Sequence, residues 1–129
     1  MSEMRNDGYK AEIINSSKEL TAKEKIMLKD TSNAIALDDA TKEGPIIIDI
    51  DYYAIVHVHN PLTETGDYDK CVLLDKDGTK YATGSVSFIR NMMDIVDEMS
   101  ESGEEYKLSV YRKDSNNYNG KQFITCSIV

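Results

Sequence analysis

Residues 45–60, PIIIDIDYYAIVHVHN, contain a long alternating pattern from which the rest of the fold is predicted. From Ile46 to Val58 every even position is apolar or tyrosine. A period of two over so long a run predicts one extended strand with a dry even face and a wet odd face. Strands usually run about five or six residues, so this one is expected to bend, serving two sheet layers or a closed barrel. Its odd positions include Asp49, Asp51, Tyr53, His57 and His59.

The composition is typical of one soluble domain. At 129 residues and 40% hydrophobic content, the chain can bury one modest core. No apolar run approaches the roughly 18 residues of a membrane span, and the N-terminus lacks the apolar core of a signal peptide. A cytoplasmic location with no membrane partner is therefore expected. Cys71 and Cys126 lie in apolar runs without CxxC or histidine spacing, which predicts buried, reduced thiols.

The charge is unevenly distributed along the chain. A net charge of −8 argues against a nucleic-acid partner, because Lys and Arg drive phosphate binding. Residues 1–105 carry 11 basic and 22 acidic side chains, a net of −11, whereas residues 106–129 carry four basic and one acidic, a net of +3. The C-terminal hairpin is therefore expected to be the one basic region on an acidic body.

The N-terminal part gives weak signals. Residues 1–20 are polar and lack a convincing period, so they are predicted to form a dispensable or loosely docked segment before a single domain at 21–129. Thr21 and Glu24 could form the capping box of a short helix. A strand is favoured for residues 25–29, because a helix beginning at Thr21 would end too early to bury much.

The C-terminal part gives stronger signals. Residues 70–75 and 80–83 flank a DG turn and predict a hairpin. Ser85 or Ser87 can cap a helix with apolar residues at three- and four-residue spacing, ended by SESG at 100–103. Residues 106–113 and 122–129 alternate again around a turn-rich loop. A helix between the third and fourth of five strands is the layout of the OB-fold, so the predicted class is mainly β, an OB-like five-stranded barrel.

Three segments also resemble the small single-stranded-DNA-binding proteins encoded by tailed bacteriophages. They read KIMLKDTSNAIALDDA at 25–40, LLDKDGTKYATGS at 73–85 and YKLSVYRKDSNNYNGKQFITCSIV at 106–129. The resemblance implies an OB-like, non-enzymatic protein. Such a protein would coat exposed DNA strands during phage genome replication in the bacterial cell, beside phage or host replication proteins.

Candidate DNA contacts follow from how single strands are bound. Non-specific binders combine a basic groove with aromatic rings on which bases stack, and the C-terminal hairpin interleaves both residue types. Its alternation places Tyr111 and Lys113 opposite Leu108 and Val110, and hence outside the core. Together with the wet face of the long strand and the strand after the DG turn, the candidate set is Tyr53, His57, Lys80, Tyr81, Tyr111, Arg112, Lys113, Tyr118, Lys121 and Phe123.

Two other functions remain open. The overall charge favours an acidic protein-binding module, which would present Asp and Glu in a host enzyme's DNA groove where phosphates otherwise lie. A metal-dependent enzyme using His57 and His59 is the weaker alternative. Two such imidazoles can share a metal, but Asp51 lies about 20 Å from His57 along an extended strand, so a third ligand would have to come from another strand. No nucleophile motif, phosphate loop or HExxH occurs, so no enzyme, cofactor or metal is predicted.

Overall fold

A computed structural model describes residues 10–61, 66–114 and 122–129. In chain order its elements are β1 (Lys10–Ser16), α1 (Ala22–Lys29), β2 (Ile35–Ala36), α2 (Leu37–Ala40), β3 (Ile46–Ile48), β4 (Ile50–His59), β5 (Asp67–Asp75), β6 (Lys80–Thr83), α3 (Val86–Ser102), β7 (Leu108–Asp114) and β8 (Gln122–Ile128). The strands form two sheets, a five-stranded sheet A in the order β1-β4-β5-β6-β2 and a three-stranded sheet B in the order β3-β7-β8. The predicted mainly β class is confirmed.

The predicted long strand is divided into β3 and β4, which serve different sheets. The pairing of β4 with β5 shifts register between Ile50 and Tyr52. One extra residue in a strand reverses the faces of all the side chains that follow it. The even residues of β3 enter the core between the sheets, but in β4 it is the odd residues Tyr53 and Ile55 that do so. The expectation of a wet odd face is therefore wrong for residues 52–56, which are buried on both faces.

Two hydrophobic cores flank sheet A. The main core fills the space between sheet A, sheet B and α3, and the second core lies on the opposite face of sheet A beneath α1. Cys71 and Cys126 are free and buried in the main core, as predicted. The main core comprises Leu37, Ile48, Tyr53, Ile55, Cys71, Leu73, Phe88, Met92, Val96, Leu108, Val110, Ile124 and Cys126. The second core comprises Leu28, Tyr52, Ala54, Val56, Val58 and Val72.

The hairpin and the long helix form where the sequence predicted them. β5 and β6 pair antiparallel across the DG turn, in which Gly78 has φ 93°, a conformation that favours glycine. The Ser85 side chain caps α3 by accepting a hydrogen bond from the Phe88 amide at 3.3 Å. Gly103 ends the helix in the left-handed conformation with φ 71°. Both predictions are confirmed, and α3 separates the hairpin from β7 and β8.

The five-stranded barrel is not confirmed, because the two sheets do not close. Closure would require β6 to pair with β8, but among the described residues the second neighbour of β6 is β2. α3 lies along β8 instead. The Ser87 hydroxyl donates to the Ile124 carbonyl at 3.2 Å, and the Asn91 amide donates to Thr125 Oγ1 at 2.5 Å.

Two N-terminal expectations require correction. Residues 10–16 were expected in a polar segment, yet they form β1, which pairs with β4 along its length. Residues 22–29 form a helix and not the favoured strand. The capping box is present, with the Glu24 amide donating to Thr21 Oγ1 at 3.2 Å and the Thr21 amide donating to Glu24 Oε1 at 3.0 Å. This short helix is retained because it buries Leu28 in the second core.

Candidate nucleic-acid interface

Sheet B has one buried face and one outward face. Leu108 and Val110 of β7 are 0% exposed in the main core, so the alternate side chains of β7 point away from it. The register sets Lys113 directly opposite Phe123 of β8. It also leaves Tyr111 one diagonal step from Phe123. The outward placement predicted for Tyr111 and Lys113 is found, and Phe123 joins them.

These three side chains have the exposure that base contact requires. Tyr111 and Phe123 are half-buried, and Lys113 is exposed. The Tyr111 hydroxyl lies 2.7 Å from Ser127 Oγ, which anchors one end of the ring on the sheet and leaves the ring partly accessible. Within the described ranges Lys113 forms no ion pair. Its charge is therefore available to a phosphate.

The outward face of sheet B contrasts with the acidic composition of the chain. Across the rows of paired residues from Ser109 to Lys113, no described side chain on this face is a carboxylate. The net charge of the whole chain is −8, so the local charge here opposes the overall one. The residues of this face are Ile47, Ser109, Tyr111, Lys113, Phe123, Thr125 and Ser127.

His57 lies on a different surface, at the end of sheet A. Its Nδ1 is 2.7 Å from Asp69 Oδ1, and its Nε2 is 3.1 Å from Asp67 Oδ2. His59 Nδ1 also contacts Asp67. Hydrogen bonds to Asp69 and Asp67 raise the pKa of His57. Two carboxylates beside the imidazole would repel a phosphate, so His57 is not part of the candidate interface.

The metal-site hypothesis for His57 and His59 can be compared with the neighbouring strand β5. A third ligand had to come from another strand, and β5 does carry Asp67 and Asp69 opposite the two histidines. In the part of the chain that the structure describes, no group of three or more His, Cys, Asp or Glu residues is arranged to hold a metal ion. The four side chains form a hydrogen-bonded row instead.

Two of the predicted tyrosines are not part of the candidate interface. Tyr53 is 4% exposed in the main core, which corrects the expectation that its ring faces solvent. Tyr81 is half-buried and packs against the same core. Desolvation raises the pKa of both phenols. The Tyr53 ring cannot stack on a base without leaving the core, and Tyr81 lies on β6 of sheet A, away from the outward face of sheet B.

Lys80 and Arg112 are occupied by the backbone of the two short helices. The Lys80 ammonium donates to the Met27 carbonyl at 2.7 Å and to the Asp30 carbonyl at 3.0 Å, at the C-terminal end of α1. Arg112 Nε donates to Thr41 Oγ1 at 3.2 Å beside α2, and its Nη2 donates to the carbonyl of Asp38. These cations satisfy helix-end acceptors and are not free for phosphate.

Two of the sequence-predicted residues, Tyr118 and Lys121, lie outside the described residues. Ile47, which sequence analysis did not single out, lies on the outward face of sheet B and is 52% exposed. The available signal was an apolar side chain at an odd position of the alternating run.

A cleft of about 420 Å³ opens between the sheets near the C-terminal end of α3. Its lining includes four acidic residues, Asp49, Asp51, Glu104 and Glu105, and two lysines, Lys76 and Lys107. The Lys76 ammonium lies 3.4 Å from Asp49 Oδ1. These acidic side chains border the outward face of sheet B at the Lys107 end. The cleft therefore disfavours phosphate and limits how far a nucleic acid could extend in that direction.

Searches against known protein families, curated proteins and solved structures found no match for this chain. None of the helices in the described ranges combines the length and the apolar character needed to cross a membrane. The candidate interface is inferred from the register, exposure and charge of the residues of sheet B.

Proposed function

We propose that this chain binds single-stranded DNA, with weak sequence preference, through the outward face of sheet B. The observation that carries the proposal is the adjacency of Tyr111, Lys113 and Phe123 on a face where no described side chain from Ser109 to Lys113 is a carboxylate. Bases would stack on the two rings, and each stack is worth about 1–3 kcal/mol. Lys113 would neutralise a phosphate and release its counterions, which makes the affinity depend on salt.

The order of the elements along the chain also supports binding of single-stranded DNA. A long strand shared between two sheets, a hairpin, a helix and a final strand pair follow one another as in OB-folds, which are partly open barrels that bind oligonucleotides. In this chain the barrel is interrupted between β6 and β8, where β6 pairs with β2 and α3 lies along β8. On this proposal the protein is non-enzymatic and coats exposed strands during phage DNA replication, in the cytoplasm of a bacterial host and beside replication proteins.

The acidic cleft favours a second candidate function. Its carboxylates, at Asp49, Asp51, Glu104 and Glu105, could contact a basic groove on another protein, as a DNA-mimicking inhibitor would. If this second function is correct, the chain should have no affinity for DNA and a measurable affinity for a DNA-binding enzyme. The two functions use different faces of the molecule, so variants on sheet B separate them.

Titration of labelled poly-dT at two salt concentrations tests the first proposal. The parent should bind at low salt and bind more weakly as salt rises. Tyr111→Ala should weaken binding by about 1–3 kcal/mol, roughly 5- to 150-fold in Kd. Tyr68→Ala is the matched control, because Tyr68 is 39% exposed on β5 of sheet A, and it should bind like the parent. Absence of binding at low salt would refute the proposal.

A further inference from the structure

Ile47 is an exposed apolar side chain at a defined position on the outward face of sheet B. It is 52% exposed on β3, the edge strand beside β7. Single exposed apolar residues are common and need no explanation by themselves. The position of Ile47 relative to the two aromatic rings is what gives it significance.

The register places Ile47, Tyr111 and Phe123 on one diagonal across the sheet. Ile47 lies opposite Ser109, which is two residues before Tyr111 on the same face of β7. Phe123 lies opposite Lys113, which is two residues after Tyr111. Diagonal neighbours on adjacent antiparallel strands are about 7–8 Å apart. Each step is comparable with the length of one nucleotide in an extended single strand.

A basic residue lies near each end of this diagonal. Lys113 is opposite Phe123, and Lys107 precedes Ser109, the partner of Ile47, by two residues. Neither lysine forms an ion pair with the residues that the structure describes. Lys107 itself lines the cleft together with Asp49, Glu104 and Glu105, so the favourable charge ends at Lys107.

A path along β8 is less accessible than the diagonal. Thr125, the next residue on the outward face after Phe123, is only 5% exposed. Its hydroxyl accepts a hydrogen bond from the Asn91 side chain of α3. Thr125 is therefore closed to a base, whereas Tyr111 is half-buried and Ile47 on β3 is 52% exposed.

We propose that single-stranded DNA crosses the three strands of sheet B diagonally, with successive bases on Phe123, Tyr111 and Ile47 and with phosphates near Lys113 and Lys107. This inference rests on the proposed function and specifies its path. It adds Ile47 as a base-contacting residue and Lys107 as a phosphate-contacting residue. Binding along the β7–β8 hairpin would use neither of them.

Fluorescence polarisation with labelled dT oligomers of increasing length tests the path on the full chain. Ile47→Ala should weaken binding several-fold for oligomers long enough to reach from Phe123 to Ile47, and should leave shorter oligomers unaffected. Ile14→Ala is the matched control, because Ile14 is 56% exposed on β1 of sheet A. Lys107→Gln should reduce the slope of log affinity against log salt by about 0.7, the value for one phosphate contact on a single strand.

The outcomes separate the path from the function. If Tyr111→Ala weakens binding while Ile47→Ala binds every length like the parent, the diagonal path is overturned and DNA binding stands. Equal losses for Ile47→Ala and Ile14→Ala would also overturn the path. If the parent binds no oligomer, both the path and the proposed function fail. Circular dichroism of each variant checks that the fold is retained, as is usual for surface substitutions.

Discussion

His57 of β4 lies directly opposite Asp69 of β5, and its Nδ1 is 2.7 Å from the Asp69 Oδ1. Its Nε2 is 3.1 Å from Asp67 Oδ2, while Glu12 of β1 lies opposite it on the other side. The hydrogen bonds to Asp69 and Asp67 raise the pKa of His57 above its ordinary value of 6.5. Hydrogen bonds from His59 and His57 lower the pKa of Asp67 below 3.8.

These shifts predict a pH dependence of stability. The contribution of His57 is full below about pH 6.5 and is lost as pH rises through its raised folded-state pKa. The contribution of Asp67 is full above about pH 3.8 and is lost as pH falls through its lowered pKa. His57→Gln should therefore lower the free energy of unfolding more at about pH 5 than at about pH 8.5. Urea unfolding at both pH values measures this, and equal losses would contradict it.

Adjacent isoleucines test whether β1 belongs to the fold. Ile13 is partly buried against the second core, whereas Ile14 is 56% exposed. Ile13→Ala should lower the free energy of unfolding by about 1–3 kcal/mol, because partly buried isoleucines fall at or under the low end of the range for fully buried ones. Ile14→Ala should change it by less than about 0.5 kcal/mol. Thermal unfolding compares the two, and identical melting temperatures would show that β1 does not pack as described.

Lys80 should act as a stabilising residue of α1 and not as a DNA contact. Its ammonium donates to the carbonyls of Met27 and Asp30 and to the Asn33 side chain. Lys80→Met keeps the apolar stem but removes these bonds, so we expect a loss of about 1–3 kcal/mol in unfolding free energy. Exposed Lys23 of α1 is the control. The poly-dT affinity of folded Lys80→Met should match that of the parent, and a selective loss of affinity would assign Lys80 to the DNA site.

Arg112 and Lys113 are neighbouring cations with different expected roles. Arg112 is bonded to Thr41 and the Asp38 carbonyl, so Arg112→Ala should lower stability by about 1–3 kcal/mol with an unchanged salt slope. Lys113→Ala should leave stability unchanged and reduce the slope of log affinity against log salt by about 0.7. Chemical denaturation and poly-dT titrations over a salt series measure both quantities. A reduced salt slope for Arg112→Ala and an unchanged slope for Lys113→Ala would assign the phosphate contact to Arg112.

Local signals within the sequence were sufficient for several elements. The cap at Ser85, the glycine at position 103 and the DG turn fixed α3 and the β5–β6 hairpin, because caps and turns depend on contacts over a few residues. Alternation in β7 likewise placed Tyr111 and Lys113 opposite buried Leu108 and Val110. Two of the residues that define the candidate interface therefore follow from the alternation of the sequence alone.

Tertiary contacts decided the rest. β1 has no strong pattern of its own and is held by pairing with β4, and α1 is fixed by the burial of Leu28. The register shift after Ile50 moved Tyr53 into the core, because one extra residue reverses every following side chain. Helix-end carbonyls distant in sequence bind Lys80 and Arg112. A single chain's periodicity reports which residues are apolar, but pairing partners and competing acceptors exist only after the chain has folded.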